Sequence, residues 1–167
     1  MCSDDSDDTN VWEVYRDWRE ANNAWVEEQA ALMDEDGVTP FYERLSSDYR
    51  PSKYILIHWF NDRSETAGNL VPMETSTVST RYQLFDMNGE KLDSSENNAD
   101  GLFNTVVTAV IDGWQNALMN MHVGDTVQIV VPYQSGYGSS SAGEIQPYSA
   151  LRFNVRLVDI PAYEVKP

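Results

Sequence analysis

The spacing of apolar positions changes character near residue 50. Over residues 11–34, Trp12, Tyr15, Trp18, Ala21, Trp25 and Ala30 recur three to five residues apart, as on one face of a helix. Asn10 with Glu13 three residues later forms a capping-box-like start, and Gly37 is a suitable terminator. Thr39-Pro40 predicts the N-cap and first residue of a second, short helix reaching about Leu45. Beyond residue 50 the runs at 53–60, 75–85, 127–131 and 151–157 are β-rich. In the last of them Leu151, Phe153, Val155 and Leu157 alternate with Arg152, Asn154 and Arg156, which places one face of a strand on a core. Asn88-Gly89 closes the second run with a hairpin dipeptide. One helix, 111–121, carries Trp114, Leu118 and Met121 on one side. Several strands around a single helix predict an α+β domain, an antiparallel sheet packed on that helix.

Three segments follow from this pattern: an acidic, low-complexity tether at 1–10, expected to be disordered, a helical extension at 11–48, and a sheet domain at 49–167. The extension holds three tryptophans that need burial. Their partner is either the same chain's sheet domain or a second subunit, which would make a homodimer through the N-terminal helix.

Charge narrows the function classes. The chain of 167 residues has 27 Asp and Glu against 11 Lys and Arg, a net charge of −16. That balance repels phosphate backbones and predicts no nucleic-acid partner. No apolar run approaches the roughly 20 residues of a membrane-spanning helix. The tether carboxylates Asp4, Asp5, Asp7 and Asp8 are not preorganised for a metal, so no metal site and no cofactor are expected. The single cysteine, Cys2, rules out an internal disulfide. With Met1 read as a start replacing a removed signal sequence, a chain beginning at Cys2 before an acidic tether resembles a bacterial lipoprotein. On that reading Cys2 is the lipid attachment site and the membrane is a partner, in the bacterial envelope facing the periplasm or cell surface. The plainer reading is a free thiol in a cytoplasmic N-terminus.

A set of motifs then stands in order over roughly residues 70–160. Val110-Ile111-Asp112-Gly113-Trp114 is followed by Met121-His122-Val123-Gly124, then by Gly136-Tyr137-Gly138. Ile145-Gln146-Pro147 precedes the alternating strand at 151–157, and Tyr82 and Asp93 flank Gly89. Together these resemble the FKBP-type peptidyl-prolyl cis/trans isomerase family. The resemblance implies a twisted antiparallel sheet of about five strands wrapped on one short helix, with a proline pocket between them. By position it implies Tyr82, Asp93, Trp114, Tyr137 and Phe153 as catalytic residues, Trp114 being the floor under the proline ring. Leu92, Phe103, Val110, Ile111 and Ile145 are implied as substrate-binding wall. The implied partners are proline-containing unfolded or secreted polypeptides and macrolide inhibitors. Two departures bear on turnover. Leu92 stands where the family usually has phenylalanine, and the loop 139–144 reads as about one residue short and lacks the usual histidine.

Such a pocket needs no nucleophile or acid–base pair. The planar X–Pro amide faces a rotational barrier of roughly 18–20 kcal/mol. Because the planar form is the more polar one, an apolar pocket that strips its water favours the twisted transition state. Residue types alone leave plainer roles open: Trp114, Ile111 and Phe153 as core, Asp93 as a turn or ion-pair residue, Tyr137 as a loop anchor. His58 and His122 have no Ser or Cys partner at a family-like spacing. Three functions therefore remain: an active isomerase, a non-catalytic proline-peptide-binding or chaperone-like module, and a structural envelope protein assembled through the aromatic helix.

Overall fold

In the computed structural model, residues 10–47 and 49–164 are described. Cys2 and the tether residues 1–9 lie outside them. Ten elements follow in chain order: α1 (Arg16–Ala30), β1 (Glu43–Leu45), β2 (Ile55–Trp59), α2 (Arg63–Thr66), β3 (Thr77–Phe85), β4 (Lys91–Ser94), β5 (Phe103–Val106), α3 (Asp112–Leu118), β6 (Thr126–Val131) and β7 (Leu151–Ala162). The seven strands form one sheet in the order β1-β2-β6-β7-β3-β4, with β5 also on β3, and every pairing is antiparallel. β4 and β5 share the outer edge of β3, pairing with its residues 83–85 and 77–80. The fold is α+β, as the pattern predicted.

Strand alternation sorts the side chains between two layers. Ile55, Ile57, Val127, Ile129, Val131, Leu151, Val155 and Leu157 point forward into the main core with Ala117, Leu118 and Met121 of the α3 region. Leu56, Val130 and Ala150 point backward and meet Val26 of α1 and Tyr42. Each large apolar side chain so buried contributes roughly 1.5–3 kcal/mol before entropic costs. The α3–β6 turn is tied by Asp125, which is fully buried. Its carboxylate accepts from Asn61 Nδ2 and the His122 N–H, both at 2.9 Å, and from the Thr66 hydroxyl. Burial raises its pKa, but these bonds outweigh it and hold the carboxyl below its ordinary range.

Several local expectations are corrected. The helix predicted from Thr39-Pro40 to about Leu45 is instead a turn followed by strand β1. The Asp36 carboxylate takes the Val38 and Thr39 N–H groups at 2.9 and 2.8 Å, so Thr39 caps nothing. Glu43–Leu45 then pairs with Ile55–Ile57 at the sheet edge, where tertiary pairing overrides local signals. Gly37, at φ +70°, lies in this turn, past the last helical residue Ala30. In the β3–β4 hairpin, Gly89 bonds back to Asp86 at 3.1 Å with φ +82°. It is thus the left-handed residue after a Met87-Asn88 turn, the three-residue hairpin form.

The face of α1 also differs from the expected stripe. Its buried positions are Arg19, Asn22, Val26 and Gln29, whereas Trp12 remains 43% exposed. The physical reason lies across the contact, where the sheet presents polar groups. Asn22 Oδ1 accepts the Ala150 N–H at 2.9 Å, Trp18 Nε1 donates to Ser149 Oγ at 3.1 Å, and Arg152 donates to Gln29 Oε1 at 2.5 Å. Of the two destinations open to the helix, its inner face meets the sheet of its own chain.

Two outcomes follow for stability. A methyl group on Gly113 would sit 2.8 Å from Val131 Cγ1 and 3.1 Å from Ile55 Cγ2. Gly113→Ala should therefore lower stability by about 1–3 kcal/mol through overpacking, read from urea unfolding. Asn22→Ala leaves the Ala150 N–H without its acceptor and should cost about 1–3 kcal/mol in the same assay. An unchanged urea midpoint would mean that α1 contributes nothing through this bond.

Candidate active site

A cavity of about 550 Å³ opens between α3 and the front of β3, β4 and β7. Each wall is delivered by a short local rule. Tyr82 and Leu84 are two apart on β3 and therefore share a face. Leu84 lies in register with both Asp93 of β4 and Phe153 of β7, which brings the three strands' contributions to one spot. Phe103 starts β5, just beyond the break between β4 and β5. Val110 and Ile111 lead into α3, where the Ile111 carbonyl accepts the Trp114 and Gln115 N–H groups at 3.0 and 3.1 Å. Gln115 Nε2 holds the Val110 carbonyl at 2.8 Å. Asp112 in the first turn of α3 faces Arg50 and Lys53 at 3.2 and 3.9 Å.

The central feature is an aromatic box. Trp114 is 4% exposed. Tyr82, Phe103 and Phe153 stand around it at centroid distances of 5.3, 5.9 and 5.5 Å, with interplanar angles of 83°, 85° and 84°. Edge-to-face contacts of this kind are favoured by the ring quadrupoles, and they leave the indole with walls nearly perpendicular to its plane. Val110, Ile111 and Ile145 complete the apolar lining, with Leu92 on the β4 side.

Polar groups gather at one side. The Tyr82 hydroxyl donates to Asp93 Oδ2 at 2.5 Å, while Asp93 Oδ1 accepts from the Ser94 N–H at 2.8 Å and Asn97 Nδ2 at 3.2 Å. Burial first, then the Asp93 hydrogen bond and charge, lift the Tyr82 pKa well above the ordinary tyrosine value. Tyr137 is raised by burial and then by the Asp93 charge. Both phenols are therefore protonated donors across the neutral range.

The ten pocket residues expected from the sequence all border this one cavity. Leu84, Ala109, Ala142, Gly143 and Glu144 border it as well. Leu84 was detectable from its two-residue spacing to Tyr82; the loop residues had no such signal. The loop's far end is braced by α1 through Ser149 and Ala150. Nearby, Tyr148 adopts φ +62° and packs edge-on against Trp12 and Tyr133 at 5.4 and 5.2 Å. His58 and His122 lie outside the cavity, their Nδ1 atoms 2.9 and 2.7 Å from the Phe41 and Asn69 carbonyls. Among the described residues no group of three or more His, Cys, Asp or Glu side chains gathers as a metal site.

Comparison with known proteins agrees with this geometry. Residues 68–158 match the family described as FKBP-type peptidyl-prolyl cis-trans isomerase. The chain is similar to the FKBP-type isomerase FkpA of Escherichia coli, 30% identical over 99 residues, covering 58% of this chain and 36% of that protein. It is also similar to FK506-binding protein 2B of Rhizopus delemar, 42% identical over 79 residues, 46% of this chain and 37% of that one. These alignments span little more than a third of either relative's length. Among solved structures, a peptidyl-prolyl isomerase from Pseudomonas syringae pv. tomato superposes with a TM-score of 0.69 at 22% identity, over 87% of this chain and 95% of that one. FkpA from Escherichia coli superposes at 0.73 and 19% identity, over 93% and 64%. At those identities the superpositions show a shared fold. With more than half its length in the family match, the chain belongs to the FKBP-type peptidyl-prolyl cis-trans isomerases.

Proposed function

We propose that the chain catalyses cis/trans rotation about X–Pro bonds, with proline seated on Trp114. The observation that carries this reading is the aromatic box: one indole with three rings perpendicular to it, closed by aliphatic side chains. A proline ring placed there has its amide stripped of water on most sides. The planar amide is the more polar form, so desolvation raises the ground state more than the twisted state. Tyr137 is available as a donor at the side, while the Tyr82 hydroxyl donates to Asp93, which orients the Tyr82 ring and remains an acceptor. In these roles Tyr82, Asp93, Trp114, Tyr137 and Phe153 carry the chemistry. Leu92, Phe103, Val110, Ile111 and Ile145 shape the wall.

A second reading, a proline-peptide-binding or chaperone-like module without turnover, is favoured by Leu92. It gives the wall less aromatic area than the phenylalanine usual in the family. Exchange spectroscopy on X–Pro peptides separates the two, because binding without line broadening between the isomers supports the module.

We extend the reading to clients that are unfolded or secreted polypeptides, met at the bacterial envelope by a protein lipidated on Cys2. The support is the sequence around Cys2, and acyl labelling in the native host tests it. Macrolide inhibitors of the family are proposed for the same cavity and are tested by competition with a proline peptide. A homodimer through the N-terminal helix is tested by the solution mass of the chain with and without residues 10–30.

Trp114→Leu keeps an apolar floor and removes its plane; it should lower kcat/KM at least about tenfold, or about 1.4 kcal/mol, with the fold retained by circular dichroism. Leu92→Phe should raise kcat/KM. Should both variants match wild type at the uncatalysed rate while proline peptides still bind, the isomerase reading fails.

Tyr82 generates a pH outcome. Its folded pKa lies above the ordinary value of 10.0, so above that pH the unfolded chain binds fewer protons than the folded one. Stability contributed by Tyr82 is present below about pH 10 and is lost as pH rises toward its folded pKa. Tyr82→Phe should flatten part of the alkaline fall in unfolding free energy, the remainder belonging to Tyr42 and Tyr137, which are raised too.

A further inference from the structure

The cavity has a charge pattern that its apolar chemistry does not require. Of its fifteen lining residues, the charged ones are Asp93 and Glu144, both acidic, and none is Lys, Arg or His. The two carboxylates differ in what engages them. Asp93 receives the Tyr82 hydroxyl, the Ser94 N–H and Asn97 Nδ2. Glu144 lies on the loop, exposed and outside the ion pairs found among the described residues.

Glu144 is also held in place. Ala142 and Ile145 exchange both backbone hydrogen bonds, at 3.0 and 2.8 Å, so Gly143-Glu144 forms a two-residue turn. Gly143 has φ +55° while Glu144 does not enter positive φ. That is the arrangement in which only the first central residue must be glycine. Ala142, Gly143, Glu144 and Ile145 all border the cavity, so the turn sets the exposed Glu144 on its lining. The chain's net charge of −16 adds a long-range field of the same sign.

We propose that this pocket selects X–Pro segments with a basic side chain, Lys or Arg, beside the proline. The proposal rests on the proline-binding reading of the cavity. With the ring on Trp114, the adjoining residue is one Cα step away, about 3.8 Å, and a long side chain from there reaches the rim where Glu144 and Asp93 stand. A cation placed there meets two carboxylates and no repelling charge on the lining. An acidic side chain meets the reverse, and its own desolvation is uncompensated. Because the rim is wet, the interaction is screened by salt and acts through KM and association more than through the rotation step.

The test uses the full chain and three peptides differing only in the residue before proline: Lys, Leu and Glu. Rates come from NMR exchange, which needs no coupling protease, and affinities from chemical-shift titration. The expected order at low ionic strength is Lys, then Leu, then Glu, with about tenfold in kcat/KM between the extremes, collapsing in about 0.5 M salt. Glu144→Gln should narrow the Lys-to-Glu ratio and Glu144→Lys should invert it, each compared as a ratio within one variant. Equal values for the three peptides on an active wild type overturn the proposal while leaving the isomerase reading intact. A ratio unchanged in both Glu144 variants also overturns it. If no peptide is turned over, the isomerase reading fails, and the charge preference stands or falls on the three affinities. If none binds, both fall.

Discussion

The seating of one seven-residue helix on the sheet governs the rest of this molecule. α3 approaches so closely at Gly113 that a single methyl group there would overlap Val131 and Ile55. That approach places the next residue, Trp114, at the boundary between core and cavity, 4% exposed yet bordering an open space. A tryptophan deeper in the core would be structural; one farther out would be wet and would desolvate nothing. The two glycine hydrogens therefore set the depth of the pocket floor. Leu118 and Met121, both fully buried, hold the other end of that segment.

Around this floor the protein combines two demands that normally conflict. On the proposed reading, desolvating an amide calls for apolar walls, yet orienting it calls for donors. The structure separates them in space: rings and aliphatic groups surround Trp114, while Tyr82, Asp93 and Tyr137 collect at one side. Asp93 is accommodated beside an apolar cavity because three donors engage its carboxyl oxygens. An unpaired carboxylate inside the box would cost more than the box contributes. Glu144 escapes that penalty by staying on the exposed side of its turn, where its field still faces an arriving chain.

The N-terminal helix works on the other face of the sheet, but its bonds reach the pocket loop. Asn22 and Trp18 hold Ala150 and Ser149, the residues that lead from the loop into β7, and Arg19 lies 3.3 Å over the Trp12 ring. A contact made by polar groups is directional, so it fixes the helix register more sharply than an apolar stripe could. The same sheet thus carries the cavity on its front and the bracing helix on its back.

By itself the sequence determined the α+β class, the main strands, the short helix and the order of the pocket motifs. These are local: period-two alternation, helical spacing and the Val-Ile-x-Gly-Trp run are written within a few residues of one another. Cavity membership for Tyr82, Asp93, Trp114 and Phe153 was legible only through family resemblance, since their separation along the chain exceeds any local period. Tertiary structure alone decided three other things. It made residues 43–45 a strand, because pairing with Ile55–Ile57 satisfies backbone groups that a short isolated helix would leave open. It chose Asn22 and Gln29 over Ala21 and Ala30 for the buried face of α1, because the sheet side opposite offers an amide and a guanidinium. It also put Glu144 on the cavity lining, since a residue's direction at a turn depends on the two backbone bonds closing that turn and on what lies across the space it faces.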